Sequence, residues 1–126
     1  MNRLLLDTHL VLWWMAGEPS RIGKRALAAL GADDAEPIVS AVTVWEAAIK
    51  RALGKLDSPP DLLAQLEGAG VRLLPISARH ADLVGVLPLH HRDPFDRLLV
   101  AQATVEGLPL VSEDASLRRY AIEVVW

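Results

Sequence analysis

The chain has 126 residues, of which 52% are hydrophobic and 23% charged, and its formal net charge is −3. This length and apolar content predict a single domain over residues 1–126 with a sizeable core, and they exclude a disordered chain or a linker. The absence of cysteine excludes disulfide and thiolate chemistry, while the negative charge argues against a protein that coats nucleic acid non-specifically.

The first predicted strand, Arg3-Leu4-Leu5-Leu6-Asp7, lies at the start of the sequence. Three consecutive leucines without polar alternation predict a strand that is buried on both faces, as in the middle of a parallel sheet. The strand ends on the carboxylate of Asp7, and open α/β sheets bind their ligands at the carboxyl ends of their strands. We find no signal-peptide pattern and no apolar run that could span a membrane, so we expect a cytoplasmic protein.

Residues 9–16 predict a short helix that is apolar nearly all round. Its consecutive tryptophans, Trp13 and Trp14, point about 100° apart on a helix, so the two are not expected to pack into the same core. Together with Met15 they predict a surface that is covered by a partner chain.

The remaining predicted elements alternate between helices and strands, with capping residues, glycine or proline at their ends. This alternation predicts an α/β fold, a doubly wound sandwich with a five-stranded, mainly parallel sheet flanked by helices. In chain order the elements are a helix over 20–30 capped by Ser20, a strand over 37–39, a helix from Ser40 to near Gly54, a helix from Ser58 to 68, a strand over 71–74, a helix over 78–86 capped by Ser77, a helix over 94–106 capped by Asp93, a strand over 108–111, a short helix over 115–119 and a strand over 122–125.

Four acids fall at the same edge of this predicted sheet. Two of them follow strands directly and two lie near the starts of helices: Asp7, Asp114, Glu46 and Asp96. In a right-handed parallel sheet these points all lie at the carboxyl ends of the strands, so the four side chains are expected to meet.

Close carboxylates repel one another unless a positive charge neutralises them. Because the candidate ligand atoms are all oxygens, the cluster predicts a hard divalent cation, magnesium or manganese as its substitute, rather than zinc. Asp93 is an additional acid beside Asp96; it is expected to cap the helix at Pro94 and could also reach a water on the metal.

Each acid also has a purely structural interpretation. Glu46 and Lys50 stand four apart, in the order that favours an ion pair on a helix. The other acids can serve the backbone alone, as helix caps, dipole partners or turn residues: Asp7, Asp93, Asp96 and Asp114. No single acid identifies a site, and the prediction therefore depends on their convergence.

Four stretches of the sequence resemble the PIN-domain ribonucleases, and in particular the VapC-type toxins of bacterial type II toxin–antitoxin pairs. They are LLLDTH (4–9), SAVTVWEAAIK (40–50), DPFDRLLVAQA (93–103) and LVSED (110–114). The resemblance implies a PIN-like fold and assigns the family's catalytic, metal-binding acids to Asp7, Glu46, Asp96 and Asp114. Ser112 stands where the family often has threonine, which keeps the hydroxyl and loses the methyl group.

The resemblance also implies an activity and partners. It implies hydrolysis of phosphodiester bonds in single-stranded or loop RNA by metal-activated water, which leaves a 5′-phosphate and a 3′-hydroxyl. It further implies a homodimer and a tight complex with a cognate antitoxin, a segment of which lies along a groove near the active site and could insert an arginine toward the acids.

Basic and imidazole side chains flank the acids in the sequence. Lys50, Arg92 and Arg97 could line the rim of the site and bind RNA phosphates, or they could form an ordinary solvated surface. The adjacent His90 and His91 are expected to be solvated loop residues rather than metal ligands, because neighbouring side chains on a loop do not generally face one site.

Two enzymatic rivals on the same architecture lack residues that they require. A receiver-like phosphotransfer domain needs paired acids near the first strand and a lysine after a late strand. A haloacid-dehalogenase-like site needs an aspartate where His9 stands. The alternative outside catalysis is a protein-binding α/β module in which the acids only cap helices.

Overall fold

The structure is a computed structural model that describes residues 2–126. Its strands are β1 (Asn2–Leu6), β2 (Ala35–Ser40), β3 (Arg72–Leu74), β4 (Leu110–Val111) and β5 (Val124–Val125). They form one sheet in the order β3-β2-β1-β4-β5, and all neighbouring strands are parallel. The predicted five-stranded parallel sheet is confirmed, with β1 at its centre.

Helices connect the strands in the described part of the chain. They are α1 (Thr8–Met15), α2 (Lys24–Leu30), α3 (Ala41–Ala52), α4 (Leu62–Gly68), α5 (Ala78–Val84) and α6 (Pro94–Glu106), with short 3₁₀ helices over Pro19–Arg21 and Ala115–Arg119. None of the helices in residues 2–126 has both the length and the apolar character that crossing a bilayer requires.

The leucines of β1 organise the core into two layers. Leu4 and Leu6 pack into one hydrophobic cluster and Leu5 into the other, because successive side chains of a strand point to opposite faces. All three are almost completely buried, as the unbroken leucine run predicted. Helices α1, α2 and α4 cover the first face and α6 covers the second, which confirms the doubly wound α/β sandwich.

The predicted helix over 20–30 begins later than expected, and Ser20 does not cap it. Residues Pro19–Arg21 form a separate 3₁₀ turn, and α2 starts at Lys24 after Gly23. Between the two, Ile22 adopts an extended conformation and is only 6% exposed. The extended backbone at Ile22 separates the 3₁₀ turn from α2, and the Ile22 side chain packs into the core cluster of the first face.

The predicted helix start at Ser58 is also wrong, since α4 begins at Leu62. The reason lies in the two prolines that follow Ser58. Each proline disfavours helical backbone at the residue before it, so neither Ser58 nor Pro59 can belong to the first turn.

The last two strands are shorter than predicted, with two residues each, and α5 ends at Val84.

A buried hydrogen-bond network joins the N-terminus of α3 to α6. The Ser40 hydroxyl accepts from the Val42 N–H at 2.9 Å and donates to Gln102 Oε1 at 2.5 Å. Gln102 is fully buried in α6, and its Nε2 donates to the Pro75 carbonyl oxygen at 3.3 Å. Because α3 carries Glu46 and α6 carries Asp96, this network sets the relative positions of two acids.

We expect Gln102→Leu to lower the free energy of unfolding by roughly 1–3 kcal/mol, because the Ser40 hydroxyl and the Pro75 carbonyl each lose a buried partner. Urea denaturation measures the change. Gln65→Leu is the matched control, since Gln65 bonds only to Asp61 in an exposed pair. Equal stability of the two variants would contradict the role assigned to the Ser40–Gln102 network.

Candidate active site

The predicted acids converge at the carboxyl ends of the strands. Asp7, Asp96 and Asp114 line a single cavity of about 570 Å³, although they lie far apart in the sequence. The cavity is completed by His9, Trp13, Glu113 and Ala115. Glu46 is buried beside this cavity, close enough that its charge raises the pKa of both Asp7 and Asp96. The structure thus brings the acids together, as expected for strands that end at the same edge of a parallel sheet.

Asp7 acts as a helix cap and also faces the cavity. Its Oδ1 accepts from the Leu10 N–H at 3.0 Å, which caps α1, and its Oδ2 accepts from the Ser112 hydroxyl at 2.5 Å. Burial raises the pKa of Asp7 above its ordinary value. The cap interpretation of Asp7 is confirmed, and the cap fixes in place a carboxylate that lines the cavity; metal binding by Asp7 stays a prediction.

Glu46 is held by two partners, one at each oxygen. Thr8 Oγ1 donates to Oε1 at 2.6 Å, and Lys50 Nζ lies 2.6 Å from Oε2. The ion pair expected from the four-residue spacing is present, but it is part-buried rather than a surface contact. The hydrogen bond to Glu46 raises the pKa of Lys50, whose ammonium also lies 3.9 Å from Asp93 Oδ2. Lys50 is thus a counter-charge within the acid cluster, and its contact with RNA stays a prediction.

Asp96 lies in the first turn of α6 among other acids. Burial, and next the charge of Asp93, raise the pKa of Asp96 to about 7, with further contributions from Asp7 and Glu46. Asp93 itself caps α6, since its Oδ1 accepts from the N–H groups of Phe95 and Asp96. The predicted cap at Asp93 is therefore present, and its negative charge is held next to Asp96.

His91 belongs to the site, so the expectation that it is a solvated loop residue is wrong. Its Nε2 lies 2.8 Å from Asp114 Oδ2 and 3.3 Å from Asp96 Oδ2. Its Nδ1 accepts the Asp93 N–H at 3.0 Å, so the ring proton is on Nε2, which donates to Asp114 Oδ2. His90 instead packs edge-on against Tyr120. The loop turns between the two histidines, which sequence spacing alone did not indicate.

Asp114 has the opposite electrostatic character to Asp96. Burial raises its pKa, but hydrogen bonds from Ser116 and His91 outweigh burial and lower the pKa below the ordinary value. Its Oδ1 accepts from the Ser116 hydroxyl at 2.6 Å and from the Ser116 N–H at 3.0 Å. The cavity thus pairs a carboxylate that is readily ionised with one, Asp96, that resists ionisation.

The predicted rim arginines differ in their surroundings. Arg97 donates to the carbonyl oxygens of Val84, Leu87 and Pro88 at 2.8, 3.3 and 3.0 Å, and to the Tyr120 hydroxyl at 3.3 Å. Its guanidinium therefore holds the connection between α5 and α6. Arg92 is exposed. Neither arrangement tests phosphate binding, which stays a prediction for both residues.

The three predicted partner residues of α1 do not share one surface. Trp13 lines the acidic cavity, whereas Met15 lines a separate groove of about 440 Å³ beside residues 57–60. Trp14 is 36% exposed. This division follows from the 100° rotation between successive helical residues.

The donor set fits a divalent cation. In residues 2–126, Lys50 supplies the ion pairs to the site acids, while His91 contributes a hydrogen bond from Nε2 to Asp114. The remaining negative charge contributes to the raised pKa of Asp96, and oxygen-rich sites of this kind favour hard ions. One ligand atom each from His91, Asp96 and Asp114 lie within 4.8 Å of one another.

The sequence also matches known proteins. The profile of the PIN domain matches residues 4–123. The chain belongs to the PIN-domain family. This PIN domain is 32% identical over 123 residues to Ribonuclease VapC22 of Mycobacterium tuberculosis. The aligned region covers 95% of this chain and 93% of the relative. The VapC-type assignment from the sequence motifs is confirmed.

Solved structures share the fold of this PIN domain. VapBC2 from Rickettsia felis, solved with a DNA fragment from its promoter, aligns over 97% of this chain and 96% of that chain with a TM-score of 0.70 and 15% identity. VapBC-5 from Mycobacterium tuberculosis, a member of a family of toxin–antitoxin systems, aligns over 99% and 98% with a TM-score of 0.62 and 20% identity. At these identities the likeness shows the fold alone.

We expect Asp96→Asn to stabilise the protein in EDTA, and to do so more at pH 8 than at pH 5. The pKa of Asp96 is about 7 in the folded chain against an ordinary 3.8. Its ionisation therefore destabilises the fold increasingly as the pH rises between these two values. Melting temperatures at both pH values measure the effect, and Asp82→Asn on exposed α5 is the control. A stabilisation that does not change with pH would contradict the electrostatic analysis of Asp96.

Proposed function

We propose that this PIN domain is a metal-dependent endoribonuclease and the toxin of a type II toxin–antitoxin pair, acting on single-stranded or loop RNA. The observation that carries the proposal is the cavity in which Asp7, Asp96 and Asp114 meet with unbalanced negative charge. The identity to a relative named as a ribonuclease supports it.

Asp7, Asp96 and Asp114 would hold the ion, which we propose to be Mg²⁺ with Mn²⁺ as a substitute. When bound, such an ion lowers the pKa of a water ligand and stabilises charge on the phosphate. Glu46 would be the fourth metal-binding acid of this set, and Asp93 would reach a water on the ion. Hydrolysis would leave a 5′-phosphate and a 3′-hydroxyl.

The surrounding residues of this chain pre-position the carboxylates. Ser112 and the Leu10 N–H fix Asp7, while Thr8 and Lys50 fix Glu46. His91 donates to Asp114 from Nε2, which also lies 3.3 Å from Asp96 Oδ2. Because these hydrogen bonds exist before substrate arrives, the carboxylates need little reorganisation when the reaction begins.

The basic residues would act on the RNA backbone at the rim. Arg92 is exposed and free to meet a phosphate, and Lys50 carries a positive charge close to the acids. Arg97 would support the rim by holding the α5–α6 connection in place. Its N–H groups that are not used there would bond to RNA phosphates.

The alternative of a non-catalytic binding module explains only part of the cluster. Asp7, Asp93 and Asp114 do cap helices. Glu46 lies in the middle of α3 and Asp96 inside the first turn of α6, and neither is the cap of a helix in residues 2–126. Burying the carboxylate of Glu46 and holding that of Asp96 next to other acids costs free energy, unless a ligand binds these carboxylates. This cost favours the nuclease over the binding module.

We expect Asp7→Asn to reduce RNA cleavage in Mg²⁺ by at least roughly 100-fold, because one charged ligand is lost while the cap to Leu10 can be kept. Cleavage of a 5′-labelled RNA measures the rate, and end analysis identifies the products. Asp82→Asn is the control. Mg²⁺ should also raise the melting temperature of the unaltered protein but not that of Asp7→Asn.

Two outcomes would contradict the metal-dependent reaction. One is cleavage that persists in EDTA or in a well-folded Asp7→Asn variant. The other is a product with a cyclic phosphate, which would require attack by the ribose hydroxyl rather than by water.

We further propose that the protein forms a homodimer and binds a cognate antitoxin. The exposed apolar side chains that support partner binding include Trp14, Trp45, Leu53 and Leu63. Solved relatives of the same fold are described as toxin–antitoxin systems. Because Trp13 lines the acidic cavity, we assign the partner contact on α1 to Trp14 and Met15.

We expect Trp14→Ser to weaken antitoxin binding by at least roughly tenfold, since buried tryptophans dominate protein interfaces. Calorimetry with the product of the neighbouring gene measures affinity, and sedimentation measures dimerisation. Val86→Ser, in an exposed loop, is the control. A chain that stays monomeric at high concentration and binds no neighbouring gene product would contradict the partner assignment.

A further inference from the structure

One side of the acidic cavity is aromatic. His9 and Trp13 both line it, and they stand four residues apart on the same helix, α1. Their ring centres are 5.9 Å apart and their planes are inclined by 42°. His9 is exposed and Trp13 is half-buried, so both rings are accessible from a cavity that also contains Asp7, Asp96 and Asp114.

Trp13 is held in place from outside the cavity. The Trp126 ring packs against it with centres 6.0 Å apart, and Arg21 Cζ lies 4.6 Å from the centre of the Trp13 ring. Arg21 is itself paired with Glu18 at 3.2 Å. Gly23 permits the Trp126 contact, because a Cβ atom there would lie 2.7 Å from Trp126. The aromatic wall is therefore fixed before any ligand binds.

We propose that His9 and Trp13 form a base-stacking subsite for the RNA nucleotide next to the cleaved phosphate. This inference rests on the proposed function. A nucleotide presents an anionic phosphate and an aromatic base, and this cavity offers a metal-binding side and an aromatic side. Stacking accepts any base, so the subsite selects for the presence of a base rather than for its identity.

The composition of the cavity favours RNA over an apolar protein segment at this wall. The rest of the lining includes the carboxylates of Asp7, Asp96, Glu113 and Asp114. An apolar segment that covered the wall would desolvate these carboxylates without replacing their hydrogen bonds. A nucleotide with its divalent cation neutralises them instead.

The test is the affinity of a short fluorescent single-stranded RNA in Ca²⁺, measured by anisotropy. We expect Trp13→Leu to weaken binding roughly 5- to 100-fold, the effect of losing one base–aromatic stack, while Trp13→Phe keeps most of the affinity. Leu27→Ala, which removes an exposed apolar side chain from α2, is the control. His9→Ala should weaken binding less, and His9→Phe should restore it.

A second RNA series separates stacking from indirect structural effects. Each RNA of this series has one base removed, at a different position. For one of these RNAs, the affinity of the unaltered protein should fall by the factor seen for Trp13→Leu. Trp13→Leu should not lower the affinity for that RNA further, because the stack is already absent. If Trp13→Leu does not fold, the exposed His9 variants carry the same comparison.

Several outcomes would overturn the inference. An RNA affinity that is unchanged in folded Trp13→Leu or His9→Ala would overturn it. So would a result in which Trp13→Leu weakens the binding of every abasic RNA as much as it weakens the binding of the intact RNA. Loss of antitoxin binding with intact RNA binding would make the wall a protein-docking site. Failure of the proposed function is separate: it would appear as an unaltered protein that binds RNA through Trp13 but cleaves none in Mg²⁺ or Mn²⁺.

Discussion

Charge balance at the carboxyl end of β1 is the constraint on which the rest of the site depends. The fold neutralises most of its clustered acids from within. Helix N-termini receive Asp7, Asp93 and Asp114, and Lys50 pairs with Glu46. This compensation is incomplete for Asp7, whose pKa is raised by burial, and for Asp96, whose pKa burial and neighbouring charge bring to about 7. An uncompensated carboxyl at the centre of the cluster is what makes a divalent cation the fitting occupant.

The same hydrogen bonds that build the fold also prepare the site. Asp7 begins α1 and, through Ser112, ties the end of β1 to the end of β4. Asp114 begins a 3₁₀ helix and contacts His91 from a distant loop. The carboxylates are held in place because the backbone N–H groups that bond to them also begin helices of the fold. The usual conflict between a charged site and a stable fold is reduced when each charge has a backbone partner.

The cavity has an acidic side and an aromatic side, and the residues that follow β1 contribute to both. The helix α1 places Asp7 at its cap and Trp13 almost two turns later. Trp126 and Arg21 support the tryptophan from the far side. One short helix therefore supplies both a proposed metal ligand and a proposed base contact, which fixes the distance between them.

The sequence by itself determined the parallel α/β arrangement, the buried leucine strand, the caps at Asp7 and Asp93, and the convergence of the acids. These follow from local periodicity and from the fixed handedness of parallel connections. Only the tertiary structure decided that His91 joins Asp96 and Asp114, and that Trp13 and Trp14 serve different surfaces. The direction of a loop side chain and the occupants of a cavity depend on contacts between segments distant in sequence, and no local pattern encodes those contacts.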